Sequence, residues 1–195
     1  MLSFTEEINQ HKNSNSIELS SLMKKIKRQT FAKNTILQNA GDEKISLFYV
    51  KSGLLRSYTI DDKGKEHIFM FAPEGWLIAD GSINSGATEL FIDALEKTEV
   101  EVIDQKDFLE LFLPLTAFND SKRSEVMMRR MAVMQKRIIM LISASAIERY
   151  EHFTKTYPGI SQRVPQKMIA SYLGITPEAL SKVKVQKREE NNFLF

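Results

Sequence analysis

The segment Val164-Pro-Gln-Lys-Met-Ile-Ala-Ser-Tyr-Leu-Gly174, continued by Ile175-Thr-Pro-Glu-Ala-Leu-Ser-Lys-Val-Lys184, decides how this chain is read. Gly174 permits the left-handed backbone conformation that ends a first helix. Thr176 can then cap a second helix, with Pro177 at its first position, where the missing N–H costs nothing. Met168, Ile169, Leu173, Ile175, Leu180 and Val183 would make a small shared core, and Ala170 is small enough to let the two helices cross closely. The pattern predicts a helix-turn-helix, whose second helix enters the DNA major groove with its N-terminal residues against base edges.

With Leu180 and Val183 in the core, Pro177, Glu178, Ser181, Lys182 and Lys184 are left outward. Glu178 can accept a hydrogen bond from the cytosine amino group, and Lys182 can donate to guanine or to phosphate. Thr176, Ser181 and Lys184 read as phosphate contacts that fix register, and Gln166 and Pro177 complete the candidate DNA-facing set. The plainer reading of each is an exposed polar side chain, and helix-turn-helix pairs also occur without DNA.

Charge points the same way. Residues 1–120 carry a net −6 and residues 121–195 a net +8, which together give the formal +2 of the whole. A compact basic segment beside an acidic one suggests a polyanionic partner, nucleic acid being the commonest, although a solvated basic surface that binds nothing has the same composition.

Upstream of the basic helices, Met127, Met131, Met134, Ile138, Leu141 and Ser145 are spaced by 4, 3, 4, 3 and 4 residues. Such a seam belongs to a long helix that can pair with a copy of itself. No Gly or Pro occurs from Thr116 to Tyr157, so an unbroken helix is expected there. The alternative is a helix packed on its own β domain, with Met filling gaps.

Further upstream the pattern changes. Six of the 8 glycines (Gly41, Gly53, Gly64, Gly75, Gly81, Gly86) punctuate short apolar and aromatic stretches, the look of a compact all-β unit. Strands are expected at 45–50, 54–60 and 67–72, with Asp61-Asp-Lys-Gly64 as a hairpin turn, and further ones at 35–38, 91–95 and 100–103. Before them, Ile17, Leu19, Leu22, Met23 and Ile26 suggest a short amphipathic helix ending in Lys24, Lys25, Lys27 and Arg28.

With 0 Cys, disulfides, iron–sulfur clusters and thiolate zinc sites are excluded. His11, His67 and His152 are scattered, none at metal-ligand spacing, and no nucleophile elbow, Walker loop or dinucleotide fingerprint is present. No enzyme, metal or cofactor is therefore expected. The apolar run Ile138 to Ile142 is far too short to span a membrane, and the acidic N-terminus does not resemble a secretory signal. The cytoplasm is the expected address.

The order of parts resembles the Crp/Fnr family of bacterial transcription regulators. The resemblance rests on Leu47-Phe-Tyr-Val-Lys-Ser-Gly-Leu-Leu-Arg56, the Pro-Glu-Gly-Trp76 turn, and Ile169-Ala-Ser-Tyr-Leu-Gly-Ile-Thr-Pro-Glu-Ala-Leu-Ser-Lys182. It implies an α+β chain: an N-terminal double-stranded β-helix of jelly-roll or cupin type, the cyclic-nucleotide-binding-like β-roll, then a long dimerisation helix and a winged-helix-type helix-turn-helix. The corresponding ranges are 1–115 for the sensor, 116–148 for the dimerisation helix and linker, and 149–195 for the DNA-binding part. In this family an acidic residue and a basic one four positions later commonly read bases, and Glu178 and Lys182 fall there. Double-stranded DNA with a near-palindromic operator, a second copy of the chain and RNA polymerase are the implied partners.

Two departures qualify the resemblance. Family members that bind cyclic AMP carry a Gly-Glu near the roll's phosphate loop and an Arg-Ser after it; the nearest matches here are Asp80, after Ala79 rather than Gly, and Thr88-Glu89, with Gly81 completing the candidate effector pocket. A buried phosphate needs a cation or clustered N–H groups, and Glu89 would repel it, so weak or absent cyclic-nucleotide binding is expected. The second departure is a truncated wing. With the sequence already at Asn191-Asn-Phe-Leu-Phe195, at most one short strand is left. Either the wing is dispensable, with fewer phosphate contacts, or Phe193, Leu194 and Phe195 pack back on the domain, which is the expectation for three large apolar residues. The competing function is a ligand-sensing or interaction module whose helix-turn-helix packs on a protein partner; salt-sensitive DNA binding separates the two.

Overall fold

Period-two alternation in the first part of the chain folds into two antiparallel sheets facing each other. The computed structural model describes residues 24–80, 86–108 and 120–192 and divides into two units, Met1–Arg123 and Ser124–Phe195. The strands of the first unit are β1 (Lys27–Phe31), β2 (Ile36–Gln38), β3 (Ser46–Ser52), β4 (Leu55–Ile60), β5 (Glu66–Ala72), β6 (Leu77–Ile78), β7 (Phe91–Ala94) and β8 (Thr98–Asp104). One sheet runs β1-β8-β3-β6 and the other β2-β7-β4-β5. Phe48, Val50, Ile78 and Val100 of the first meet Leu55, Ala72, Ile92 and Ala94 of the second to form the core.

Gly53 makes the turn from β3 to β4 with φ +92°, and a Cβ there would lie 2.5 Å from Thr98 Oγ1 and 2.6 Å from the Lys97 carbonyl. Asp61 holds the next hairpin, its Oδ1 accepting from the amides of Lys63 (3.0 Å) and Lys65 (2.9 Å).

Lys27 and Arg28, expected to end a helix, lie instead on edge strand β1, opposite Val102 and Glu101 of β8. The open edge of β8 needs backbone partners, and charged side chains suit an edge strand. Arg28 Nε lies 3.4 Å from the buried Glu101 Oε1. Ile17 to Met23, where a helix was expected, lie outside the described residues.

The expected unbroken helix from Thr116 to Tyr157 is also corrected: α1 covers Asp120–Ser143 and α2 covers Ala146–Thr156. The interruption is a capping box. Ser145 Oγ accepts from the Glu148 amide (3.4 Å), while Glu148 Oε2 accepts from the Ser145 amide (2.7 Å). A serine whose side chain satisfies a new helix start thus breaks the helix without Gly or Pro.

Three helices follow: α3 (Ile160–Arg163), α4 (Gln166–Leu173) and α5 (Pro177–Asn192). Phe153, Ile160, Ile169, Ala170, Leu173, Leu180 and Val183 are buried in this unit, with the Tyr157 and Tyr172 rings packed at a tilt against Phe153 at 5.5 Å centroid distances. Where at most one short wing strand was expected, α5 continues as helix through Asn192, and an ion pair from Lys187 to Glu151 ties it to α2. Phe193, Leu194 and Phe195, expected to fold back, lie outside the described residues.

Candidate nucleic-acid interface

The turn between α4 and α5 forms by the local chemistry read from its residues. Gly174 ends α4 in the left-handed conformation (φ +67°), donating back to the carbonyls of Ala170 and Ser171. Thr176 Oγ1 accepts from the Ala179 amide at 3.2 Å and so caps α5, with Pro177 in the first position. Leu180 and Val183 are buried, so α5 has a defined inner side.

Gln166, Thr176, Pro177, Glu178, Ser181 and Lys182 are exposed. Glu178 is held below the ordinary carboxylate range by its own backbone amide and by the Thr176 hydroxyl, so it is ionised at the start of α5. That is where the positive end of the helix dipole favours an anion. Ser181 Oγ donates to the Pro177 carbonyl at 3.0 Å, so its hydroxyl must rotate before it can donate to a phosphate. Lys184 is only half exposed. Its ammonium leans over the Tyr150 ring at 5.9 Å, and burial, with the Arg188 charge, lowers its pKa. Lys182 forms no ion pair among the described residues and is the free cation one turn beyond Glu178.

On α1, Met134, Ile138 and Leu141 of the seam are exposed, and Ile142 beside them is 79% exposed. The side chains of Met127 and Met131 lie outside the described set. An apolar stripe of this kind facing water is a candidate interaction surface.

Two cations that the sequence reading passed over tie α1 and α2 to α4. Arg149 donates to the Ala144 carbonyl and to the Leu173 carbonyl, each at 3.0 Å, and Arg137 lies 4.2 Å above the Tyr172 ring. The capping signature Ser145-x-x-Glu148 was the available signal for the break that Arg149 spans.

In the roll, Asp80 is buried (2% exposed), and its Oδ2 accepts from the amides of Glu89 (2.8 Å) and Leu90 (2.7 Å). Thr88 is buried too, its hydroxyl donating to the Asn39 carbonyl (2.6 Å) and accepting from the Asp42 amide (3.1 Å). Glu89 is exposed, and Gly81 lies outside the described residues. Gln38 and Ser57 stand on either side of Ile92 in one row across β2, β7 and β4. The buried Gln38 Oε1 and Ser57 Oγ have no hydrogen-bond partner among the described residues. Among the described residues no cluster could hold a metal ion, and no helix is long and apolar enough to cross a membrane.

A β-roll followed by a capped helix-turn-helix with an exposed polar edge defines a DNA-binding transcription regulator. Comparison with known proteins agrees. Residues 28–113 match the cyclic nucleotide-binding domain. The anaerobic regulatory protein of Aggregatibacter actinomycetemcomitans is 31% identical over 194 residues, covering 90% of this chain and 70% of that protein. The fumarate and nitrate reduction regulatory protein of Escherichia coli (strain K12) is 31% identical over 188 residues, covering 87% and 72%. The fold matches that of FixK2 from Bradyrhizobium japonicum with a TM-score of 0.69 at 18% identity, over 85% of this chain and 86% of that one. The chain belongs to the Crp/Fnr family of transcription regulators.

Proposed function

We propose that the chain acts in the cytoplasm as a homodimer whose two recognition helices address a near-palindromic operator, and that cyclic AMP does not control it. The observation that carries this reading is the exposed edge of α5, where ionised Glu178 and unpaired Lys182 stand one turn apart beyond the Thr176 cap. Glu178 and Lys182 read bases, while Gln166, Thr176, Pro177, Ser181 and Lys184 fix register on phosphates. Met127, Met131, Met134, Ile138 and Leu141 form the seam between copies, supported by the exposure of the last three. A dimer through α1 presents the two helices to successive major grooves roughly 34 Å apart. In this division of labour 1–115 senses, 116–148 dimerises and 149–195 binds DNA, with RNA polymerase as the partner on transcription.

The cyclic AMP part is supported by Asp80, Thr88 and Glu89. Asp80 already serves two backbone amides, Thr88 braces the 39–42 loop, and Glu89 places an acid near the position where a phosphate needs a cation. Fluorescence anisotropy with a selected duplex tests both parts. Affinity should fall steeply as salt rises and stay unchanged when cyclic AMP is added. Salt-independent binding, or tightening by cyclic AMP, would contradict the reading.

A further inference from the structure

Antiparallel pairing places Lys27, Val102 and Phe48 in one row across β1, β8 and β3, so their side chains leave the same face of the sheet. That face is the inner one, because Phe48 belongs to the core and Val102 packs against it. Alternation along β1 turns Gln29 and Phe31 to the same side. Strand β1 therefore sends a cation and an amide to the face where its neighbours send Val and Phe. Neither Lys27 nor Gln29 has a side-chain partner among the described residues.

Both border a cavity of about 400 Å³, floored in part by Phe31, Leu37, Phe48 and Val102. That volume suits a small-molecule site. Three lysines and three aspartates also line it. Lys25 pairs with Asp107 at 3.2 Å and Lys44 with Asp104 at 3.5 Å. Lys27 and Asp42 are left without an ion-pair partner among the described residues; Asp42 Oδ2 accepts only from the Asn39 amide, at 2.8 Å. An anion here would answer Lys27 and face Asp42, and a cation would do the reverse. A molecule carrying both charges satisfies both, and its apolar body covers the Phe and Val floor.

We propose that this cavity binds a small zwitterion with an apolar body, an α-amino acid of the leucine or phenylalanine kind, its carboxylate toward Lys27 and its ammonium toward Asp42. Occupancy would be felt at the 86–90 segment, because the Thr88 amide donates to the Asp42 carbonyl at 2.9 Å and the Asp42 amide to the Thr88 hydroxyl at 3.1 Å.

Calorimetric titration of the full chain without DNA, using L-phenylalanine, 3-phenylpropionate and 2-phenylethylamine, tests the site. L-phenylalanine should bind saturably, one per chain, with each singly charged analogue roughly tenfold weaker or more. Lys27→Gln and Asp42→Asn should each weaken L-phenylalanine by a similar factor. Lys27 is exposed and Asn keeps the acceptor for the Asn39 amide, so both variants should keep the parent melting temperature. Binding of 3-phenylpropionate as tight as L-phenylalanine would overturn the zwitterion assignment. No saturable heat from L-phenylalanine or L-leucine up to roughly 10 mM would overturn the site, given that millimolar affinity is still weak binding. With no DNA in the cell, either failure leaves the operator reading standing.

Discussion

Arg149 and Leu173, 24 residues apart, meet through a single hydrogen bond from the Arg149 Nη1 to the Leu173 carbonyl at 3.0 Å. The same guanidinium donates through Nε to the Ala144 carbonyl, also at 3.0 Å. Both carbonyls sit at the C-terminal ends of helices, α1 and α4, where backbone acceptors lack intrahelical partners and a cation is favoured. One side chain thus joins the break after α1 to the turn that presents α5. Arg149→Ala should destabilise the C-terminal unit by about 1–3 kcal/mol, since it strands two part-buried acceptors. Arg149→Lys should recover only part of this, because an ammonium lacks the fork that reaches both. Thermal unfolding followed by circular dichroism measures both variants, and a parent-like Arg149→Ala would mean that water replaces the guanidinium freely.

Gly53→Ala should be among the most damaging single-methyl changes in the roll. Its φ of +92° disfavours any Cβ, and the new atom would press on Thr98 Oγ1 and on the Lys97 carbonyl at under 3 Å. A loss of about 2 kcal/mol or more is expected from urea unfolding, combining backbone strain with overpacking.

How much of this was legible in the sequence depends on how local each cause is. Gly174, Thr176 and Pro177 announce the helix-turn-helix because a left-handed cap, a hydroxyl acceptor and a missing N–H act within a few residues. The glycine-bounded apolar stretches mark β3, β4 and β5 for the same reason. Strand β1 was hidden because Lys27-Arg-Gln-Thr30 shows no apolar alternation and is a strand only by pairing with β8, some seventy residues on. The break at Ser145 was legible as a capping box, a signal that a reading for Gly and Pro alone passes over. The role of Asp80 was not legible, because its partners are backbone amides that only the fold brings near.

On α5, Lys182→Ala should cost about 1–3 kcal/mol of operator binding and relax preference at one base position. Glu178→Ala should relax a neighbouring position. Binding to a matrix of single-base operator variants reads this directly, and a uniform loss across all sequences would reassign Lys182 to phosphate.

The Asp61 hairpin carries an acid-sensitive contact. His67 Nε2, 2.8 Å from Asp61 Oδ2, and the amides of Lys65 and Lys63 hold the Asp61 carboxyl below its ordinary range. A folded-state pKa below the unfolded one stabilises fully above the unfolded value, about 4, and the contribution is lost as pH falls through the lower folded value. The amide resonances of Lys63 and Lys65 should therefore titrate together with a midpoint below the ordinary aspartate value. In Asp61→Asn that step should vanish, and a midpoint at or above the ordinary aspartate value would contradict the assignment.

The central claim is a dimer that lays two recognition helices along one duplex. Sedimentation velocity of the full chain on a duplex selected for tight binding measures it most directly. Two chains per duplex are expected, on inverted half-sites roughly one helical turn apart, with the Met134→Asp, Ile138→Asp double variant sedimenting as a monomer that holds the same duplex only weakly. One chain per duplex, or a double variant that sediments and binds like the parent, would contradict it.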